Sequence, residues 1–256
     1  MDRQISLIPR PPESVTWNPW HGCTKVSPGC LHCYMYRRDE STGRDPSVVE
    51  KTKSFDLPMR TEKGGDTYVI PPGSQIFTCF SSDFFHPAAD VWRDEAWEMM
   101  RARIDCSFFM ITKRPERIKD HLPSGWGDGW EHVEIAVTCE NQDMADRRLP
   151  VYLTLPLKRR SVMIEPMLSP VDLGRYIGRG SDTIDSVSVG GESGPDARAC
   201  DFAWVLGVRD QCVENGVSFS YHQTGAKLIK DGRLYSIPRE KQHDQARRAG
   251  LDFDIK

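Results

Sequence analysis

The strongest constraint on the fold is a succession of short segments rich in β-branched and aromatic residues, at 15–18, 75–80, 107–111, 133–138, 161–164, 186–189 and 217–221. Most are too continuously apolar for a sheet with one face in water. They read as strands buried on both faces, which is the habit of parallel sheets. Between them lie segments of helical character at 91–103, 115–119, 141–155 and 202–215, the last with Gly216 placed as a C-terminal cap. Strand followed by helix, repeated, favours parallel strands joined by crossovers, in a doubly wound sheet or a closed or partly closed barrel. The architecture expected is α/β, an incomplete (β/α) barrel.

A chain of 256 residues is the size of a single barrel domain, and one domain over 1–256 is expected. The stretch from about 42 to 73, with Gly64–Gly65 and Pro71–Pro72, reads as an irregular insertion near the site, and the polar segment from about 239 as a helix-prone tail. No run approaches the roughly 18 apolar residues of a membrane span, and residues 1–10 carry no apolar core with a cleavage site. A cytoplasmic protein with no membrane partner is expected. The formal net charge of −3 argues against a surface built to wrap duplex nucleic acid. Two basic clusters, one of Lys113, Arg114, Arg117 and Lys119 and one of Lys158, Arg159 and Arg160, read first as solvated faces.

Eight cysteines in a chain without a secretion signal point to metal binding or core burial rather than disulfides. Three of them, Cys23, Cys30 and Cys33, share one loop directly after the first strand, with C-x6-C-x2-C spacing and with Gly22 and Gly29 to let the backbone turn. Three thiolates in such a loop can reach three irons of a [4Fe–4S] cluster and leave the fourth without a local cysteine. An open iron can coordinate a small molecule and act on it. The competing donor set is structural zinc, Cys₃His, completed by His21 or His32.

The loop resembles the cluster loop of the radical S-adenosylmethionine (radical SAM) superfamily. Together with 17–34, 80–85, 111–116, 137–148, 165–173 and 190–196, it makes the chain similar to an uncharacterised, phage- and prophage-associated branch of that superfamily. Most members space the ligands C-x3-C-x2-C; here six residues separate Cys23 from Cys30. The resemblance implies a partial (β/α)6 barrel with the cluster at its open mouth and the fourth iron held by the amino and carboxylate groups of S-adenosyl-L-methionine (SAM). An electron from an external donor would cleave the sulfonium to methionine and a 5′-deoxyadenosyl radical. That radical would take hydrogen from an unknown substrate, for which a nucleotide or nucleic acid is the class suggested by the phage kinship and the basic clusters.

Polar residues that follow successive strands supply the rest of the expected site. His32 and Tyr34 would border the adenine. Gly190–Gly191–Glu192 resembles the superfamily's glycine-glycine-glutamate element but comes late in the chain, so Ser81, Ser82 and Asp83, after the second strand, take that position. Asp83 is the expected SAM contact and Glu192 the second candidate. Glu140, Asn141 and Glu165 would meet ribose hydroxyls or substrate, and Lys113 or Arg114 a carboxylate or phosphate. Cys139 or Cys79 could donate a hydrogen atom to a product radical, against the plainer role of a small buried hydrophobe. Two readings compete with the radical SAM enzyme: a zinc-stabilised binding module, and a non-catalytic iron–sulfur sensor of nucleic acid or redox state.

Overall fold

A computed structural model describes residues 14–178 and 183–255; the N-terminal reading over 1–10 lies outside them. In chain order the strands are β1 (Ser14–Trp17), β2 (Trp20–His21), β3 (Glu50–Lys51), β4 (Gln75–Thr78), β5 (Ser107–Thr112), β6 (Val133–Thr138), β7 (Ser161–Ile164), β8 (Ser186–Gly190), β9 (Cys200–Asp201), β10 (Ser218–Gln223), β11 (Lys227–Lys230) and β12 (Arg233–Ser236). The α-helices are α1 (Tyr34–Ser41), α2 (Asp90–Ala102), α3 (Pro115–Ile118), α4 (Gln142–Tyr152), α5 (Phe202–Asn215) and α6 (Gln242–Arg248).

Seven of the strands form one parallel sheet in the order β1-β4-β5-β6-β7-β8-β10, curled into a half-barrel. Each follows its neighbour in sequence, so the sheet grows in one direction, as the alternating pattern requires. One phase of side chains is buried without exception in the middle of the sheet: Val137, Val162, Val187 and Phe219 lie side by side across four strands. The opposite phase is mixed: Phe77, Phe109, Ile111, Met163 and Ser188 are half-buried, Ala136 and Thr138 are buried, and Ser220 is exposed. Seven strands rather than six build the sheet, and among the described residues no helix lies between β7 and β8.

Helix α5 starts where the Asp201 side chain accepts from the Ala203 N–H and stops at Gly216, left-handed at φ 64°, as a glycine cap permits. Asn141 caps α4 by accepting from the Met144 N–H. The insertion is not a loose loop. Arg103, fully buried at the end of α2, donates to the Pro58 and Ile70 carbonyls, and Trp17 Nε1 donates to the Phe55 carbonyl. The tail is structural too: α6 packs on β10, and Phe253 exchanges both backbone bonds with Phe219 along the sheet's outer edge, satisfying an edge that would otherwise pair with another chain. No described helix is long and apolar enough to cross a membrane.

Phe108, 1 % exposed, packs edge-on against Trp17 with ring centroids 6.0 Å apart. Phe108→Ala removes the ring joining β5 to β1 and is expected to cost about 3–5 kcal/mol of unfolding free energy, read from urea denaturation.

Candidate metal centre

The cysteine loop leaves the sheet after β1 and lies across the carboxyl ends of the parallel strands, held by residues from several of them. Gly22 has φ 95°, and a Cβ there would fall 2.0 Å from the Val48 carbonyl oxygen, so only glycine fits. Its N–H donates to the Ser81 carbonyl at 3.1 Å, and the Ser82 hydroxyl donates back to the Gly22 carbonyl. Cys23 N–H donates to Pro46 O at 2.9 Å, and Tyr36 donates its hydroxyl to Cys23 O. Pro28–Cys30 forms a 3₁₀ turn and Cys33 opens α1, which brings the positive end of that helix to the loop. All three cysteines are free and half-buried.

Two buried ion pairs fix the loop from below. Glu140, 0 % exposed at the end of β6, accepts from the Gly29 N–H through Oε1 at 2.9 Å and from Arg148 Nη1 through Oε2 at 2.7 Å. Gly29 is glycine for lack of room rather than for its φ: a Cβ would stand 2.9 Å from that same carboxylate oxygen. Asp83, after β4, accepts from Thr112 Oγ1, the Lys113 and Phe85 N–H groups and Arg114 Nη1, all between 2.8 and 3.0 Å. Arg114 then reaches upward, Nη2 donating to Thr24 O at 2.9 Å and Thr24 Oγ1 at 3.1 Å. His86 completes the hold on Thr24: its Nδ1 accepts from the Ala88 N–H, so its Nε2–H is left to donate to Thr24 Oγ1 at 3.0 Å.

Burial by itself would raise the pKa of both carboxylates; the facing guanidinium and the donated hydrogen bonds outweigh it, and Asp83 and Glu140 are both held below their ordinary values. Burial and then the nearby Asp83 charge push the Cys23 thiol up to about 11, so a metal taking this sulfur must displace its proton.

Most of the expected site residues do reach this rim, in roles different from those expected. The Asp83 carboxylate is turned inward and filled by four donors instead of facing an ammonium. Asn141 is spent as the α4 cap. Glu192 takes Arg198 through both oxygens, and Arg198 donates onward to Pro28 O at 3.0 Å, a third strand-end hold on the loop. Glu165 accepts from His222 Nδ1 at 2.8 Å and from Gln223, and Gly190 leaves room for it, since a Cβ there would meet the carboxyl carbon at 2.6 Å. Gly191 packs on the Thr224 carbonyl. Tyr34 donates its hydroxyl to Phe80 O, and His32 is half-buried within electrostatic reach of Glu192. Ser81 Oγ is buried and has no partner among the described residues. Cys139 is fully buried, and burial pushes its thiol up to about 12, the behaviour of a core residue; Cys79, equally buried, has φ 65°, a strained conformation for a non-glycine.

The donor set is uneven for a single ion. Among the described residues no three His, Cys, Asp or Glu side chains gather as a mononuclear site would need, and His21 Nε2 is taken by Asp39 at 2.6 Å in a buried pair joining β2 to α1. A cubane cluster asks less convergence, because each thiolate binds a different iron. The basic clusters are largely absorbed: Arg114 by Asp83, Arg117 by Asp90, Lys158 by Asp128, and Arg159 by Glu134.

A family described as "Protein of unknown function (DUF5131)" matches residues 13–254. The chain belongs to the DUF5131 family. No curated protein and no solved structure matches it.

In this DUF5131 chain, Glu140→Ala strands buried Arg148 and frees the Gly29 N–H, at an expected cost of about 3–5 kcal/mol in urea unfolding. Acid should act through the same groups. Because the native carboxylates sit lower than the ordinary 4.5 of Glu140 and 3.8 of Asp83, the native chain binds fewer protons than the unfolded chain there. Their stabilisation is complete above those ordinary values and is lost as pH falls through the lowered native ones. Wild type is therefore expected to lose stability more steeply than Glu140→Gln below about pH 4.5, as measured by urea midpoints across a pH series.

Proposed function

We propose that this DUF5131 chain is a radical SAM-type enzyme that carries a [4Fe–4S] cluster on Cys23, Cys30 and Cys33. The observation that carries the reading is the placement of three half-exposed cysteines on a loop clamped over the carboxyl ends of a parallel half-barrel. Ligands collect at that end of parallel α/β sheets because the strand-end loops converge there. Once bound and reduced by an external donor, a cluster with an open iron supplies the electron that splits SAM into methionine and a 5′-deoxyadenosyl radical.

The chain's own part is to hold and to shield. Glu140, Arg114 and Arg198 fix the loop at three points, which keeps the ligands from drifting apart when the cluster is lost. With Asp83 committed inward and Glu192 held by Arg198 through both oxygens, the carboxylate left to meet a SAM ammonium is Glu165, whose side chain keeps 19 % exposure. The Ser81 hydroxyl, without a partner among the described residues, offers a further polar contact beneath the loop. The face that carries Phe77, Phe109, Ile111 and Met163 also carries Thr138, Ser188 and Ser220, so a substrate there would meet apolar and polar groups side by side.

Anaerobic reconstitution with iron and sulfide tests the reading. The expected result is iron and sulfide in equal amounts, an EPR signal of a reduced cubane that changes when SAM is added, and release of 5′-deoxyadenosine. Cys30→Ala should lose all three. Stoichiometric zinc with no cluster after reconstitution would leave a zinc-stabilised binding module; a cluster whose signal ignores SAM would leave an iron–sulfur sensor.

A further inference from the structure

Cys23 is chemically unlike the other two cysteines. Arg114 Nη1 lies 3.8 Å from its sulfur and 2.8 Å from Asp83 Oδ2. The Cys30 sulfur instead has the Ser27 hydroxyl as a polar neighbour, at 3.9 Å. Arg114 is 4 % exposed and Asp83 5 %, so water does little to screen either charge. Neither can turn away. Asp83 is pinned by Thr112, Lys113 and Phe85, and the second arm of the guanidinium is spent on Thr24. The result is a rigid dipole with its positive end against one thiolate ligand and its negative end behind, tighter than loop stability alone calls for, since Glu140 and Arg198 hold the same loop without touching a sulfur.

We propose that the buried Asp83–Arg114 pair sets the reduction potential of the cluster through Cys23, Arg114 raising it and Asp83 lowering it. This rests on the cluster reading above. Reduction places one electron, delivered by a low-potential one-electron donor, on the cluster and its thiolates; no bond forms or breaks and no proton is required. A guanidinium charge and an N–H donor beside the sulfur favour the added charge, and a carboxylate opposes it. Arg114 and Asp83 are thus positioning and tuning residues, not catalytic ones, and their opposite signs separate tuning from mere support of the fold. Loss of either partner for structural reasons would loosen the loop in the same way; loss for electrostatic reasons must move the potential in opposite directions.

The test is an EPR-monitored redox titration of the anaerobically reconstituted full chain, with dithionite as reductant, on wild type, Arg114→Gln, Arg114→Lys and Asp83→Asn at matched iron content. Arg114→Gln is expected to move the midpoint to more negative potential, lowering the reduced-to-oxidised ratio at the wild-type midpoint about tenfold, or about 59 mV for one electron. Asp83→Asn is expected to move it the other way, and Arg114→Lys, which keeps the charge, to fall between wild type and Arg114→Gln. If Arg114→Gln assembles no cluster, Asp83→Asn and Arg114→Lys still decide, since their expected shifts differ in sign. Midpoints that stay together, or that all shift in one direction, would overturn the inference and leave the cluster reading standing. A wild type that takes up no cluster overturns that reading first and the inference with it.

Discussion

Everything proposed for this protein depends on the hold that buried carboxylates keep on one polar loop. A glycine- and proline-rich segment of this length has little apolar surface with which to order itself, so its shape must be imposed from outside. Glu140 does this through a single backbone N–H, that of Gly29, and Arg148 neutralises the charge that the contact requires. Asp83 does it at one remove, by locking the guanidinium that grips Thr24. Charges are expensive to bury, and these two pairs add less stability than well-packed hydrophobes could. What they add is a defined position for three sulfurs above the mouth of the half-barrel.

The sheet was the most legible part of the sequence. The bounds of 133–138 and 161–164 match β6 and β7 because both segments are buried over most of their length, with only Glu134 and Met163 half-buried, as central parallel strands are. Phe202–Asn215 was as clear, with Gly216 to end it; the Asp201 cap at its start emerges only in the structure. Less was visible where polar chain is ordered by tertiary contact. Helix α1 is charged over half its length and buries only Met35 and Asp39, so it has no stripe to read. The hairpin of β11 and β12 has four exposed residues in its outer strand and looks like loop.

The candidate site was legible in its loop of three cysteines and in the list of strand-end residues, but not in who pairs with whom. Asp83 and Glu140 looked like open carboxylates because their partners, Arg114 and Arg148, are chosen by strand order and helix phase rather than by sequence distance. One signal was present. In a parallel sheet the residues just past neighbouring strands lie beside one another, so an aspartate after β4 and an arginine after β5 are natural partners once β4 and β5 are adjacent. The same logic pairs Glu165, after β7, with His222 at the end of β10, across Gly190 of the strand between them. Glycine there serves the neighbouring carboxylate rather than a cofactor, a role that a motif alone does not disclose.

The central claim is that three protein thiolates leave one iron of a cluster open to a small molecule. Mössbauer spectroscopy of the chain reconstituted with ⁵⁷Fe, with and without SAM, tests it most directly. The account predicts one iron environment distinct from the others that alone changes when SAM is added. Equivalent irons indifferent to SAM, or a protein that takes up no iron at all, would contradict it.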